Sequence, residues 1–469
     1  MKRLIISIIL FSVYSYASLI GSNFSQRDLQ ILEDLDIKAS FITDYKLQEV
    51  YEKYQNSRNS RHYVSKLNEA SLFVPRVKDI LKQEGIPDVF IYMAMAESNF
   101  SIDAKSNAKA TGLWQFMKNT GTRYGLKNSM YVDERMDLVK STVAATKYLN
   151  SLHERFDKWY LAAISYNCGE GRVIEAITRA TLDIYVSKYP EQKNSKKIKA
   201  FRKTIALYQK RKAPFSKLNK IYKEVKKWNI KPDVEDLLVV QEGLDRQYLP
   251  RESRDYIRKI ISLAMMNSLN FIKENENSHL LNIGISTTIA TVPVKGGLHL
   301  KNIAKSIGMT YEDLLALNKH IKQSIIPPSQ KYYTINIPYS RLTRFNQNKN
   351  DIKDTKFAIH IVKRGDTLSH ISRKYKVPTK LIKEYNNFKS NRLSIKQRIV
   401  LPIPSDMIGK IKFAEDNYSG KSIKKYTVRS GDSLYSIARK YKMNVKKLMR
   451  DNKMKNDTLL KIGDRLVLR

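Results

Sequence analysis

Val89-Phe90-Ile91-Tyr92-Met93-Ala94-Met95-Ala96-Glu97-Ser98-Asn99-Phe100, preceded by the helix-starting pair Pro87-Asp88, is the stretch that decides the fold. Apolar residues occupy every side of this helix, which places it at the centre of a helical domain rather than on its surface. Its last turn carries one carboxyl group, Glu97. Burial disfavours the charged form, and the negative end of the helix dipole acts in the same direction, so both raise the pKa. An acid still protonated near neutral pH is what a glycosidase needs to protonate the leaving oxygen of a glycosidic bond. Taken alone, the segment fits equally well a Glu that merely caps or salt-bridges the helix end.

Outward from this helix, residues 25 to 270 pattern almost wholly as helix. The run Val139-Lys140-Ser141-Thr142-Val143-Ala144-Ala145-Thr146-Lys147-Tyr148-Leu149-Asn150-Ser151-Leu152 shows it, with apolar residues three and four apart. Downstream of Glu97, Ser106-Asn107-Ala108-Lys109-Ala110-Thr111-Gly112-Leu113-Trp114-Gln115-Phe116-Met117 reads as a small-residue loop that delivers an indole and an amide together. Trp114 either packs on a sugar face or sits in the core; Gln115 can hydrogen-bond an acetamido group. Next, Ser165-Tyr166-Asn167-Cys168-Gly169-Glu170-Gly171 sets a phenol and an amide on a glycine-rich turn after the apolar helix Trp159-Tyr160-Leu161-Ala162-Ala163-Ile164.

The C-terminal part repeats itself. Val362-Lys363-Arg364-Gly365-Asp366-Thr367-Leu368-Ser369-His370-Ile371-Ser372 recurs as Val428-Arg429-Ser430-Gly431-Asp432-Ser433-Leu434-Tyr435-Ser436-Ile437-Ala438, and Asn386 aligns with Asn452. Each copy has a β-branched start, a Gly-Asp turn whose Asp can cap a helix, an apolar helical face (Leu434, Ile437, Ala438 and Tyr441 in the second), a second short helix and a closing strand, Arg465-Leu466-Val467-Leu468 in the second. The order is β-α-α-β. Both copies resemble LysM modules, which implies binding of N-acetylglucosamine-containing glycans. The candidate glycan-binding residues are Gly365, Asp366 and Thr367 in one copy and Gly431, Asp432 and Ser433 in the other. A small structural repeat without a ligand is the plainer alternative. A degenerate third copy is expected at 290–338, with Val294-Lys295-Gly296-Gly297-Leu298 in place of the turn and no turn Asp.

Glu97-Ser98, Gly112-Leu113-Trp114-Gln115 and Tyr166-Asn167, in this order, resemble the motifs of the family 1 lytic transglycosylases, enzymes with a lysozyme-like helical fold. Leu249-Pro250-Arg251-Glu252-Ser253-Arg254-Asp255-Tyr256-Ile257 resembles the same family's fourth motif. With C-terminal LysM modules, the resemblance covers roughly residues 70–270 and 290–469, and the members it points to are the D-type ones. It implies a mainly α chain, with a lysozyme-like helical catalytic domain followed by small βααβ LysM modules. It implies cleavage of peptidoglycan between N-acetylmuramic acid and N-acetylglucosamine without water, leaving 1,6-anhydro ends, with Glu97 as the single catalytic acid-base. Ser98, Gln115, Tyr166, Asn167 and Trp114 would then line the substrate cleft and Glu252 would support it. A lysozyme-type muramidase on the same fold, or a wall-binding scaffold with an inert domain, are the competing readings. Ser165 stands where the family usually has Ala.

The chain has 469 residues, more than one compact domain needs. The expected order is a signal peptide at 1–17, an N-terminal helical segment at 18–75, the catalytic domain at 76–270 with a basic insertion at about 181–235, the degenerate module at 290–338, and LysM modules at 359–403 and 425–469. Met1-Lys2-Arg3, the apolar run Leu4 to Val13 and Ser15-Tyr16-Ala17 read as an export signal cut after Ala17, with a retained anchor as the alternative. No cysteine lies near the end of the apolar run, so the lipid carried by D-type relatives is not expected; the reading is a periplasmic, peptidoglycan-associated protein. Cys168 is the single cysteine, so no internal disulfide is expected. Polar stretches at about 341–357 and 404–424 read as flexible linkers.

The formal charge is +40, from 85 Lys+Arg against 45 Asp+Glu, and favours polyanionic partners. An export signal argues against nucleic acid, leaving peptidoglycan glycan strands and their acidic peptides or an anionic membrane surface. From Lys188 to Lys227 there are 15 Lys+Arg against 2 Asp+Glu. This basic insertion is either a solvated helical face or an electrostatic contact with peptide carboxylates or anionic lipid. No metal-ligand cluster and no phosphate-cradling loop stands out, so no cofactor is expected.

Overall fold

The computed structural model describes residues 25–244, 246–266, 288–352, 356–403 and 424–428, and within the last module residues 434, 437–438, 441, 445–452, 454 and 464–468. The first 24 residues, and with them the expected export signal, lie outside the described residues, as does the stretch expected to be a linker at about 404–424 except Lys424, which opens a strand. The chain divides into two compact units. One is built from residues up to Leu126, Glu134–Thr291 and Asn336–Leu342; the other from Lys127–Asp133, Val292–Ile335 and Thr343–Arg469.

The first unit is helical: α1 Gln26–Asp34, α2 Tyr45–Gln55, α3 Ser57–Ala70, α4 Val74–Gln83, α5 Phe90–Ser98, α6 Lys118–Arg123, α7 Leu138–Phe156, α8 Trp159–Cys168, α9 Glu170–Lys188, α10 Lys196–Gln209, α11 Phe215–Val225, α12 Val234–Leu238 and α13 Arg251–Met266. Short polar residues start them. Ser25 and Asp28 form a reciprocal capping box at α1, Asp44 accepts from the Leu47 N–H at α2, and Asp137 accepts from the first N–H groups of α7. The helix α5 begins at Phe90, with Pro87 and Asp88 in the turn before it rather than in its first turn, and Asn99 ends it in the left-handed conformation.

All-round apolarity has the expected result in α5 and α8. Phe90, Ile91, Met93, Ala94 and Met95 are buried in one, and Tyr160 to Ser165 in the other. α13 packs against α1, α2, α5 and α8, and twelve of its residues are buried. The N-terminal helices therefore belong to the same compact helical unit. Arg258 of α13 grips Asp44 through two bonds of 2.8 and 2.9 Å, and the Tyr63 hydroxyl donates to the Leu263 carbonyl at 3.1 Å. A buried two-point Arg–carboxylate pair fixes direction as well as distance. The helix α9 runs unbroken from Glu170 to Lys188, so the basic stretch emerges from its C-terminal end and continues as α10 and α11.

Toward the C-terminus the β-α-α-β order appears twice in full, and the last copy shows its two strands and second helix among the described residues. The strands β1 Ile289–Lys295 and β2 Tyr332–Pro338 pair around α14 Leu300–Ile307 and α15 Tyr311–Leu317. After α16 Leu342–Asn348, the strands β3 Lys356–Ile361 and β4 Arg398–Ile403 pair antiparallel, Ile359 opposite Val400, around α17 Leu368–Tyr375 and α18 Thr379–Asn386. In the last copy β5 Lys424–Thr427 and β6 Arg465–Leu468 pair antiparallel, with α19 Val445–Asp451 as its second helix. Ile437, Ala438 and Leu448 fill that core, with Leu434 and Tyr441 against it. In the copy built on β3 and β4 the aligned asparagine holds helix to strand. Asn386 donates to the Ile382 and Val400 carbonyls and accepts from the Val400 N–H, each at 2.7 Å, and Asn452 donates to the Leu448 carbonyl.

Two expectations fail here. The stretch 341–357 is not simply a polar linker: Leu342–Asn348 is helix, with Phe345 buried and Asn348 bonded to the Ser306 carbonyl. The turn aspartate Asp366 does not cap α17 either. Thr367 does, accepting from the His370 N–H, while Asp366 is held by the Lys363 N–H at 2.7 Å and the His360 ring at 2.8 Å. Gly365, in the same turn, has φ +90°, a conformation that L side chains rarely adopt. The corresponding Gly431, Asp432 and Ser433 lie outside the described residues.

Candidate active site

A cleft of about 960 Å³ opens in the helical unit, lined by Glu97 and Ala96 of α5, Gln115, Tyr166 and Asn167, Glu252 and Tyr256 of α13, and Lys46, Glu49 and Lys53 of α2. A tighter cavity of about 290 Å³ around Tyr160, Leu161 and Tyr222 shares no lining residue with it. Four carboxylates line the cleft: Glu49, Glu252 and Asp255 are exposed, and Glu97 is not.

Burial pushes the Glu97 carboxyl up to about 7. The Tyr256 hydroxyl and the Lys259 ammonium hold it from rising further, and Glu252 adds a small push upward. The Tyr256 hydroxyl donates to Glu97 Oε1 at 2.5 Å, and Lys259 donates to the Ala96 carbonyl at 2.7 Å. An acid so placed is half protonated near neutrality, the condition for giving and retaking a proton in one cycle. Tyr256 is the site residue least visible in the sequence. It lies inside the fourth motif, and the usable signal is Ser253, Tyr256 and Lys259 recurring every third residue along one side of the helix.

The glycine-rich loops aim the rest. At Gly112 φ is +88°, and a Cβ would stand 1.8 Å from the Arg135 carbonyl oxygen, so only glycine fits. Buried Arg135 then donates from one guanidinium nitrogen to the Lys109 and Phe116 carbonyls at 3.1 and 3.0 Å, tying both ends of the loop. Nothing in the motif pattern singles out this arginine. Gln115, itself at φ +45°, lines the cleft with its amide nitrogen bonded to the Gly112 carbonyl at 2.8 Å. Tyr166 donates to the Trp114 carbonyl at 2.7 Å and packs edge-on to Phe116. The Asn167 side-chain oxygen accepts from the Ser253 hydroxyl at 2.7 Å, which couples α8 to α13.

Two expected cleft residues are elsewhere. Trp114 has 0 % exposure, and its indole N–H is spent on Thr142 Oγ1 at 3.0 Å; it is core, and no sugar can pack on it here. Its contribution is the backbone carbonyl that holds Tyr166. The Ser98 hydroxyl turns back to the Ala94 carbonyl at 3.0 Å, a common fate of a serine in the last turn of a helix, and does not line the cleft. Ser165, beside Tyr166, is fully buried, with no hydrogen-bond partner for its hydroxyl among the described residues.

Burial alone does not make an acid of this kind. Glu175, in α9, has 0 % exposure, yet its pKa is lowered. Burial alone would raise it, but Arg246, Gln209 and Arg172 hold the carboxylate charged, with bonds of 2.7 to 3.1 Å. Partners separate the two acids. Among the described residues no group of three or more His, Cys, Asp or Glu is placed to hold a metal ion.

Comparison with known proteins matches residues 77–183 to the transglycosylase SLT domain. Residues 360–402 and 426–469 match the LysM domain, and 288–354 match the LysM-like domain of the lytic transglycosylase MltD. Membrane-bound lytic murein transglycosylase D of Escherichia coli (strain K12) is 25% identical over 454 residues, covering 92% of this chain and 83% of that protein. An autolysin of Enterococcus faecalis is 27% identical over 175 residues, 36% of this chain and 23% of that one. An endolysin of Bacillus phage B103 is 35% identical over 105 residues, 21% of this chain and 34% of that one.

Proposed function

We infer that this chain, a transglycosylase SLT domain followed by a LysM-like and two LysM domains, is a peptidoglycan lytic transglycosylase. The observation that carries the mechanism is Glu97, the one unexposed carboxyl group of the cleft, poised near 7 under the Tyr256 hydroxyl. Glu97 gives its proton to the oxygen joining N-acetylmuramic acid to N-acetylglucosamine. The C1–O bond breaks with its electron pair leaving on that oxygen, and the positive charge is carried by the sugar's acetamido group or an oxocarbenium-like state. Glu97, now a carboxylate, takes the proton of the muramic acid C6 hydroxyl as that oxygen closes on C1. The product is a 1,6-anhydro ring, and no water is consumed.

Tyr256 is a positioning residue in this scheme. Its hydroxyl stays bonded to Glu97 in both protonation states, and the bond is stronger toward the carboxylate. Tyr166 and Gln115 stand beside the reacting sugar, while Asn167 is steadied by Ser253. Lys46, Lys53 and Arg251 on the rim suit the carboxylates of peptide-bearing strands. The LysM domains hold the enzyme on the wall.

Mass spectrometry of products from purified sacculi tests this reading. Anhydro-muropeptides are expected; reducing ends alone would make the enzyme a muramidase. Glu97→Gln should abolish cleavage while sparing sacculus binding, and unchanged cleavage would remove Glu97 from the reaction. We place the enzyme in the periplasm, on the strength of the basic, apolar and small-residue pattern of its first 17 residues; N-terminal sequencing of the mature protein checks the cut after Ala17.

A further inference from the structure

The basic insertion builds a further pocket that shares no lining residue with the Glu97 cleft. It has a volume of about 550 Å³ and is lined by the end of α9, the start of α10 and the turn after α11. That size lies within the ~300–1,000 Å³ common for small-ligand sites. Its wall is aromatic: Tyr185 lies 4.4 Å from Trp228 and 5.0 Å from Tyr189 between ring centroids, and Phe201 backs Trp228. Tyr189 is 38 % exposed and brings this aromatic cluster to the surface. Amide and hydroxyl groups of Gln192, Ser195 and Asn229 share the lining, so the walls offer both ring faces and hydrogen-bonding groups.

The rim is cationic. Lys188 lies over the Tyr189 ring at 5.6 Å, and Lys197 lies over the Trp228 ring at 5.5 Å while pairing with Glu224 at 2.8 Å. Both ammonium groups are exposed, within a stretch that has 15 Lys+Arg and only 2 Asp+Glu between Lys188 and Lys227. Aromatic faces match the C–H faces of a pyranose ring, amides match its acetamido and hydroxyl groups, and lysines match carboxylates. Ligands that combine all three are amino sugars bearing acidic peptides.

We propose that the Tyr185–Tyr189–Trp228 pocket is an auxiliary subsite for peptide-bearing, anionic glycan, separate from the catalytic cleft and from the LysM domains. The inference rests on the peptidoglycan reading above for the choice of glycan. It gives the basic insertion a function: holding the strand at a second point of the helical unit while Glu97 works.

The test uses the full chain in its Glu97→Gln form, labelled with 5-fluorotryptophan. The chain has three tryptophans, Trp114, Trp159 and Trp228, and none in the LysM domains, so glycan bound there does not touch the label. Trp228→Phe assigns the reporter. Titration with a soluble disaccharide-tetrapeptide from sacculi should move the Trp228 resonance saturably. Lys188→Glu and Tyr189→Ala should each weaken that response about tenfold, with Tyr189→Phe retaining it; both positions are exposed, so their substitution spares the fold. A neutral chitotetraose should respond more weakly. A static Trp228 resonance, a response indifferent to these substitutions, an equal response to chitotetraose, or a response only to phosphatidylglycerol vesicles would each overturn the proposal, the last pointing to a membrane contact. Products of the unsubstituted enzyme report separately on cleavage: if they lack anhydro ends while Trp228 responds, the reaction fails and the subsite stands.

Discussion

Replacing Glu97 by Gln should stabilise the catalytic unit, and by an amount that depends on pH. Folded Glu97 keeps its proton up to about pH 7, whereas the unfolded chain releases it near 4.5, the ordinary value for a glutamate. A raised carboxyl pKa favours the folded state in full below 4.5, loses that advantage as pH climbs, and gives none above 7. A pKa that differs by one between the folded and unfolded chain is worth about 1.36 kcal/mol, so the site costs the folded protein about 2–3 kcal/mol at pH 8 relative to pH 5. Gln is neutral throughout and carries no such dependence. The stability gained by Glu97→Gln should therefore grow by about 2–3 kcal/mol between pH 5 and pH 8. Because all three tryptophans lie in the helical unit, fluorescence-monitored urea unfolding of the full chain follows that unit alone. Glu49→Gln, at an exposed rim position of the same cleft, is the control. An equal gain at both pH values, or a Glu49 control with the same trend, would refute a buried protonated acid at position 97.

Tyr256→Phe removes the hydrogen bond that holds the Glu97 pKa down, so the alkaline limb of the pH–rate profile for sacculus cleavage should move up by about one pH unit. An unmoved limb would show that the bond is not made in the working enzyme. Ser165→Ala deletes a buried hydroxyl with no partner among the described residues and should stabilise the helical unit by about 1 kcal/mol in urea unfolding. Gly112→Ala drives a methyl into the Arg135 carbonyl at a backbone angle alanine rarely takes; it should cost about 2 kcal/mol or more and depress cleavage through Gln115 and Tyr166, read by unfolding and turnover together. Deleting residues 358–469 should weaken binding in sacculus pull-downs yet spare cleavage at high enzyme concentration, since linked modules act by raising effective concentration.

Much of this protein is legible in its residue order, because the relevant signals are local. All-round apolarity of residues 89–96 makes a central helix ending in an acid, and the recurring Gly-Asp turn with its β-α-α-β pattern makes the LysM copies. What the linear pattern does not carry is direction. Trp114 and Gln115 are neighbours in one motif, yet the tertiary fold buries the first against Thr142 and turns the second to the cleft, through the left-handed backbone at Gln115. Ser98 sits beside Glu97 but bonds back along its own helix. Glu97 and Glu175 are both unexposed acids in helices; three arginine and amide partners keep one charged, and a single tyrosine and a nearby lysine leave the other protonated. Decisive members of each set come from far along the chain: Arg246 stands 71 positions from Glu175, and Tyr256 159 positions from Glu97. Periodicity acts over one or two helical turns and specifies which residues are buried. The pKa of a buried group depends on what is brought to it across the core, and only the packing of α13 on α5 decides that.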